Sequence, residues 1–106
     1  MQTKPTKTNQ NALDRVEVSR AIRKLAGCWL RAKQCYYRTD EFDREKRAEL
    51  RAAFLAYADA IVYLVQDRPN ACVCETYTRD GRIALDVCGT VYALNSEREA
   101  RVYRAY

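Results

Sequence analysis

Histidine is absent from this chain of 106 residues. The chain therefore lacks both the side chain that most often moves protons near neutral pH and a common zinc ligand. The signature motifs of nucleophilic hydrolases, P-loop NTPases and dinucleotide-binding enzymes are missing as well. These absences weigh against the common enzyme classes, and we expect a non-enzymatic protein without a metal or other cofactor.

Long apolar runs are also absent, since no stretch approaches the roughly 20 residues that span a bilayer. The first ten residues are polar and contain no apolar segment of the secretory type. Without an export signal, the five cysteines are expected to be free thiols that fill the core rather than disulfides or metal ligands. The expected location is the cytoplasm, with no membrane contact.

Acidic residues are missing from residues 20–38, which carry six Arg or Lys. A helical wheel places most of these basic residues on one side, where Gly27 and Gln34 complete the surface. We interpret this side as a face that binds phosphates or carboxylates, because polar helix faces usually mix both signs. The alternative interpretation is an ordinary solvent-exposed helix face that has no binding role. The predicted binding residues of this face are Arg20, Arg23, Lys24, Arg31 and Arg38.

Apolar residues spaced three and four apart predict two helices that fold back on each other. The first begins at Asn11, and the second is capped by Thr39 or Asp40 and ends before Pro69. The predicted core stripes are Val18, Ile22, Leu25, Trp29, Ala32 and Tyr36 on the first helix, and Leu50, Phe54, Tyr57, Ile61 and Leu64 on the second.

Alternating residues after the helices predict a β-hairpin, with strands over 71–78 and 83–94. A two-residue type I′ turn at Asp80-Gly81 would place Glu75 opposite Asp86. The S-x-x-E pattern that begins at Ser96 predicts a short helix over 97–106. The predicted fold class is thus α+β: a long antiparallel helical hairpin, a β-hairpin and a short C-terminal helix.

The predicted domain organisation is a disordered basic tail over 1–10, followed by a single α-α-β-β-α domain over 11–106. The strand over 83–94 is longer than its partner, which leaves an open edge. We therefore expect a homodimer.

The predicted function is binding of nucleic acid, or of an acidic protein surface, by the basic helix face. Hairpin residues Tyr77, Arg79, Arg82 and Tyr92 are expected to add contacts. One alternative is an inhibitor of the kind that phages and mobile elements encode, resembling anti-CRISPR or anti-restriction proteins, which would occlude a site in a host defence complex. Another is a small His-free ribonuclease or toxin that uses those four hairpin residues.

Overall fold

Two helices precede a four-stranded antiparallel sheet in the computed structural model, which describes residues 3–105, with side chains from Arg15 onward. The predicted α+β class and the predicted helical hairpin are confirmed. Strand order in the sheet follows the chain. The elements are α1 (Thr3–Arg38), α2 (Arg44–Val65), β1 (Val73–Tyr77), β2 (Ile83–Val87), β3 (Thr90–Leu94) and β4 (Ala100–Ala105).

The two helices pack along the predicted stripes. Every predicted stripe residue of α1 lies in or against the core, and Trp29 meets Phe54 edge-on, with ring centroids 6.4 Å apart. The buried surface of α1 is wider than predicted, because Ala26 and Leu30 are buried too. This extra width arises because α1 packs against the sheet as well as against α2.

The predicted helix starts differ from the structure. α2 begins at Arg44, where the Asp43 carboxylate accepts a hydrogen bond from the Lys46 amide at 3.2 Å. Asp40 instead closes a turn in the preceding loop, accepting from the Phe42 amide at 2.9 Å. α1 begins at Thr3 rather than Asn11. The division into a tail over 1–10 and a domain over 11–106 stays a prediction, since only the helical backbone is described for residues 3–14.

The predicted single strand over 83–94 is wrong, because the chain reverses at Cys88-Gly89 between β2 and β3. Both residues have positive φ, 53° and 94°, as a type I′ turn requires. The predicted open edge of a long strand therefore does not exist, and β1 and β4 form the edges of the sheet.

The predicted turn between β1 and β2 is one residue too short. The Thr78 amide donates to the Arg82 carbonyl at 2.8 Å, so three residues form the connection. A shift of one residue exchanges the faces of a strand. Glu75 consequently lies opposite Leu85 on the side that faces the helices, and not opposite Asp86.

The predicted C-terminal helix is also wrong, since residues 100–105 form strand β4. The side-chain oxygen of Asn95 accepts from the amides of Glu97 and Glu99, both at 2.9 Å, and this closes a hairpin turn. The S-x-x-E pattern therefore lies inside a turn, and β-branched and aromatic residues then continue as a strand.

The sheet lies against α1 at Gly27. A Cβ atom added at Gly27 would lie 3.5 Å from the Ala100 Cβ, so this glycine marks a close approach of helix and β4. The sequence predicted that Gly27 completes an exposed basic surface. This prediction is wrong, because Gly27 is buried. On the outer side of the sheet, the Tyr103 ring packs over Ala84, Val91 and Ala93.

Truncation of Leu30 tests the central position of α1. Leu30→Ala removes a fully buried side chain from the core and should lower the free energy of unfolding by about 2–5 kcal/mol. Phe42→Ala removes a larger side chain that is 82% exposed, and should change it by less than about 0.5 kcal/mol. Urea denaturation followed by circular dichroism measures both. Equal losses would contradict the packing.

Candidate nucleic-acid interface

A first groove, which we call the β4 groove, runs between α1 and β4 and has a volume of about 340 Å³. Three of the predicted basic residues, Arg23, Lys24 and Arg31, lie along it. Its acidic side chain, Glu99, is paired with Arg101 at 3.0 Å. The full lining is Arg23, Lys24, Gly27, Cys28, Arg31, Glu99, Ala100 and Arg101.

Arg31 differs from the other basic residues of the face, because it is half-buried. Its Nη1 donates to the carbonyl of Arg98 at 2.8 Å, which ties α1 to the turn between β3 and β4. The acceptor is a neutral carbonyl group, so this hydrogen bond does not pair Arg31 with an opposite charge. Arg31 thus contributes positive charge to the β4 groove while its side chain is held in place.

A second groove, the turn groove, lies between the C-terminal end of α1 and the turn that joins β1 to β2. Its volume is about 520 Å³. It brings together three residues that the sequence predicted as binding residues, namely Arg38, Tyr77 and Arg82. The remaining lining residues are Gln34, Tyr37, Gly81 and Ile83.

Arg82 is fixed at the rim of the turn groove. Its Nη1 donates to the Leu94 carbonyl at 3.0 Å, and its Nε donates to Asp80 at 2.9 Å. Arg38 is exposed and takes part in no ion pair among the residues whose side chains are described. The groove therefore has one anchored guanidinium and one that is available to an anion.

Two tyrosines in the turn groove share one carboxylate. The hydroxyls of Tyr37 and Tyr77 both donate to Oε2 of Glu75, at 2.9 and 2.8 Å. The side chains are 54% and 53% exposed. Because each hydroxyl is tied to Glu75, the two rings are held in place while about half of each residue stays open to solvent.

Lys33 completes this cluster from the helix side. Its Nζ lies 3.2 Å from Oε1 of Glu75 and 3.9 Å from the centroid of the Phe54 ring. The Lys33 side chain is only 14% exposed, so it neutralises Glu75 and does not belong to the solvent-facing charge of α1. Lys33, Tyr37 and Glu75 were not among the site residues predicted from the sequence. Lys33 lies on the apolar side of the helical wheel, and this position was the signal in the sequence that could have identified it.

The pKa values of this cluster are shifted. Burial, and then the hydrogen bond to Glu75, raise the pKa of Tyr37 to about 12. The bond to Glu75 likewise raises the pKa of Tyr77. Burial acts to raise the pKa of Glu75, but the hydrogen bonds from Tyr77, Tyr37 and Lys33 outweigh it, and the net shift is downward. Near neutral pH the carboxylate is thus charged and both hydroxyls are protonated.

Two predicted site residues lie elsewhere. Tyr92 is 8% exposed and packs in the core between sheet and helices, where burial raises the pKa of its hydroxyl. Arg79 is exposed in the turn after β1, and its amide donates to the Tyr103 hydroxyl at 3.0 Å. Of the four residues considered for a ribonuclease, only Tyr77 and Arg82 line a common groove.

Most of the predicted basic face of α1 is available for binding. Within the part of the chain whose side chains are described, Arg20, Arg23, Lys24 and Arg38 are exposed and make no ion pair. Arg23 lines the β4 groove and Arg38 the turn groove. The face is therefore divided between the β4 groove, which lies where Gly27 and Arg31 meet the sheet, and the turn groove at the C-terminal end of α1.

The cysteines were predicted to fill the core, and this prediction is wrong. Cys35, Cys72 and Cys74 are exposed, and the other two are half-buried. The Sγ atoms of Cys72 and Cys74 lie 3.7 Å apart. Among the described residues, no group of three His, Cys, Asp or Glu is arranged to hold a metal ion. Neither helix, over its described length, has an apolar segment sufficient to cross a membrane.

Comparison of the chain with protein-family models, curated proteins and solved structures gives no match. The geometry of the two grooves is therefore the basis for the function proposed below.

Replacement of Glu75 tests the hydrogen-bonded cluster. In Glu75→Gln the Tyr37 hydroxyl loses a charged acceptor and a nearby negative charge, so its pKa should fall from about 12 while burial keeps it above the ordinary value. Tyrosine Cζ chemical shifts, followed by NMR between pH 8 and 13, measure this change. The pKa of buried Tyr92 is the internal control and should not move. An unchanged pKa of Tyr37 would contradict the role of Glu75.

Proposed function

We propose that the protein binds single-stranded nucleic acid along α1 and catalyses no reaction. The observation that carries this proposal is the turn groove, where two exposed tyrosine rings lie beside Arg38 and Arg82. Aromatic rings next to cationic side chains are the usual means of holding unpaired bases and their phosphates.

The backbone phosphates follow the basic face in this proposal. Arg23 and Lys24 of the β4 groove and Arg38 of the turn groove contact phosphates directly. Residues 23 and 38 are separated by about 22 Å along a helix axis, at 1.5 Å per residue. A few nucleotides span that distance, so one strand reaches both grooves.

The bases contact the tyrosines of the turn groove. Stacking needs an accessible ring face and is favoured by a fixed ring orientation. The exposure of Tyr37 and Tyr77 supports the first, and their hydrogen bonds to Glu75 support the second. The Gln34 amide lies in the same groove and offers donors and an acceptor to a base edge. A base in a duplex is already stacked on its neighbours, and this is why we propose a single strand.

The alternative function of the same surface is inhibition of a protein partner. A carboxylate-rich protein surface would also pair with Arg23, Lys24 and Arg38, and a host defence complex is one such partner. Nucleic acid is favoured because Arg38, one of these available cations, lies next to two aromatic rings and a side-chain amide in the turn groove. We propose that this binding takes place in the cytoplasm.

The salt dependence of binding tests the proposal. Fluorescence anisotropy of a labelled single-stranded oligonucleotide, titrated at several salt concentrations, should give a log–log slope of roughly −2 for the three phosphate contacts of Arg23, Lys24 and Arg38. Arg23→Gln/Arg38→Gln removes one cation from each groove and should reduce the magnitude of the slope by about 1 to 1.5.

The matched control is Arg44→Gln/Lys46→Gln, which removes the same charge from exposed positions of α2 and should leave the slope unchanged. An equal decrease of the slope in both variants would show that binding depends only on the net charge of the protein. An absence of binding at 50 mM salt would refute the proposal and direct the search to acidic protein partners.

A further inference from the structure

The outward face of α2 has no partner within the described chain. α2 packs against α1 and touches β1, and the opposite side of the helix is exposed along its whole length. This side carries two large apolar residues, Leu55 and Val62, and Tyr63 beside them is 70% exposed. We call the row of exposed residues at helical spacing the α2 stripe: Arg44, Ala48, Arg51, Leu55, Asp59, Val62 and Gln66.

The α2 stripe is symmetric about Leu55. Its members follow each other at steps of 4, 3 and 4 residues on each side of Leu55. When two identical helices pack antiparallel about a twofold axis, residues at equal distances from the axis meet each other. An axis at Leu55 therefore pairs Leu55 with itself and Ala48 with Val62 of the second copy.

The charges on the stripe agree with the same axis. Arg51 lies four residues before Leu55 and Asp59 four residues after it, so each Arg51 meets an Asp59 of the second copy. Neither residue forms an ion pair within the described part of its own chain. The twofold axis thus forms the same pair twice, with opposite charges in contact.

Shape agrees as well. The N-terminal half of the stripe contains a shallow depression of about 430 Å³, whose lining includes Ala48, Ala52 and Leu55. The C-terminal half presents Val62, and the exposed ring of Tyr63 lies beside it. Antiparallel packing places the projecting half of one helix over the depression of the other, since small residues accept large ones at helix contacts.

From these observations we propose that the protein forms a homodimer through α2, antiparallel about a twofold axis at Leu55. The second copy is the occupant because the stripe is complementary to itself in both charge and shape. The homodimer predicted from the sequence relied on an open strand edge that does not exist, whereas this interface is helical. The proposal does not depend on nucleic-acid binding.

Charge exchange across the axis tests the dimer. Sedimentation equilibrium of the full chain between 5 and 100 µM should show a dimer. Arg51→Asp places a carboxylate opposite Asp59 of the second copy, and Asp59→Arg places a guanidinium opposite Arg51, at both symmetric contacts. Each single variant should raise the dissociation constant at least about tenfold, because like charges in an interface are strongly unfavourable.

The double variant Arg51→Asp/Asp59→Arg restores opposite charges and should recover the dimer. Lys46→Asp makes an equal change of charge outside the stripe and should dimerise like the unmodified chain. Circular dichroism checks that each variant keeps its helices. A monomer at 100 µM, a dimer unaffected by Arg51→Asp, or a double variant as weak as the single ones would overturn the proposal.

Discussion

Helix α1 is the element on which the rest of the structure depends, because it is buried against two partners at once. Residues such as Trp29 pack toward α2, while Gly27 allows β4 to approach the same helix closely. Burial of apolar surface is the main favourable contribution to folding. Since α2 and the sheet occupy much of its circumference, the polar residues of α1 are confined to the strip that remains, which is where the basic side chains lie.

This arrangement also explains how the turn groove is formed. β1 is an edge strand, and the contacts of Glu75 with Lys33 and Tyr37 connect it to the C-terminal half of α1. Lys33 lies within 6 Å of four aromatic ring centroids, so its charge is stabilised by the rings as well as by the carboxylate. The same contacts that hold the strand in place thus fix the rings that we propose as the base-binding surface.

Local patterns predicted the helices, the basic face and the hairpin of β1 and β2, but not the other two strands of the sheet or the division of that face. The stripe from Val18 to Tyr36 repeats at helical spacing, and burial follows this spacing whatever the partner is. The sheet depended on turn chemistry at single residues: positive φ at Cys88 and Arg98 is uncommon outside glycine, and neither residue signals a turn by type. The one-residue error at Gly81 then exchanged the faces of β1, and with them the position of Glu75. Long-range contacts such as Lys33 with Glu75 follow from that register, so they were not predictable earlier.

The most direct test of the account is an NMR titration of the ¹³C,¹⁵N-labelled protein with a short single-stranded oligonucleotide. Base stacking and phosphate contact in the two grooves predict the largest shift changes at the ring signals of Tyr37 and Tyr77, the Gln34 side-chain amide and the Gly81 amide. Signals along α2 should move little. Changes concentrated on α2, or none at saturating oligonucleotide, would contradict the claim that α1 and the turn groove form a nucleic-acid interface.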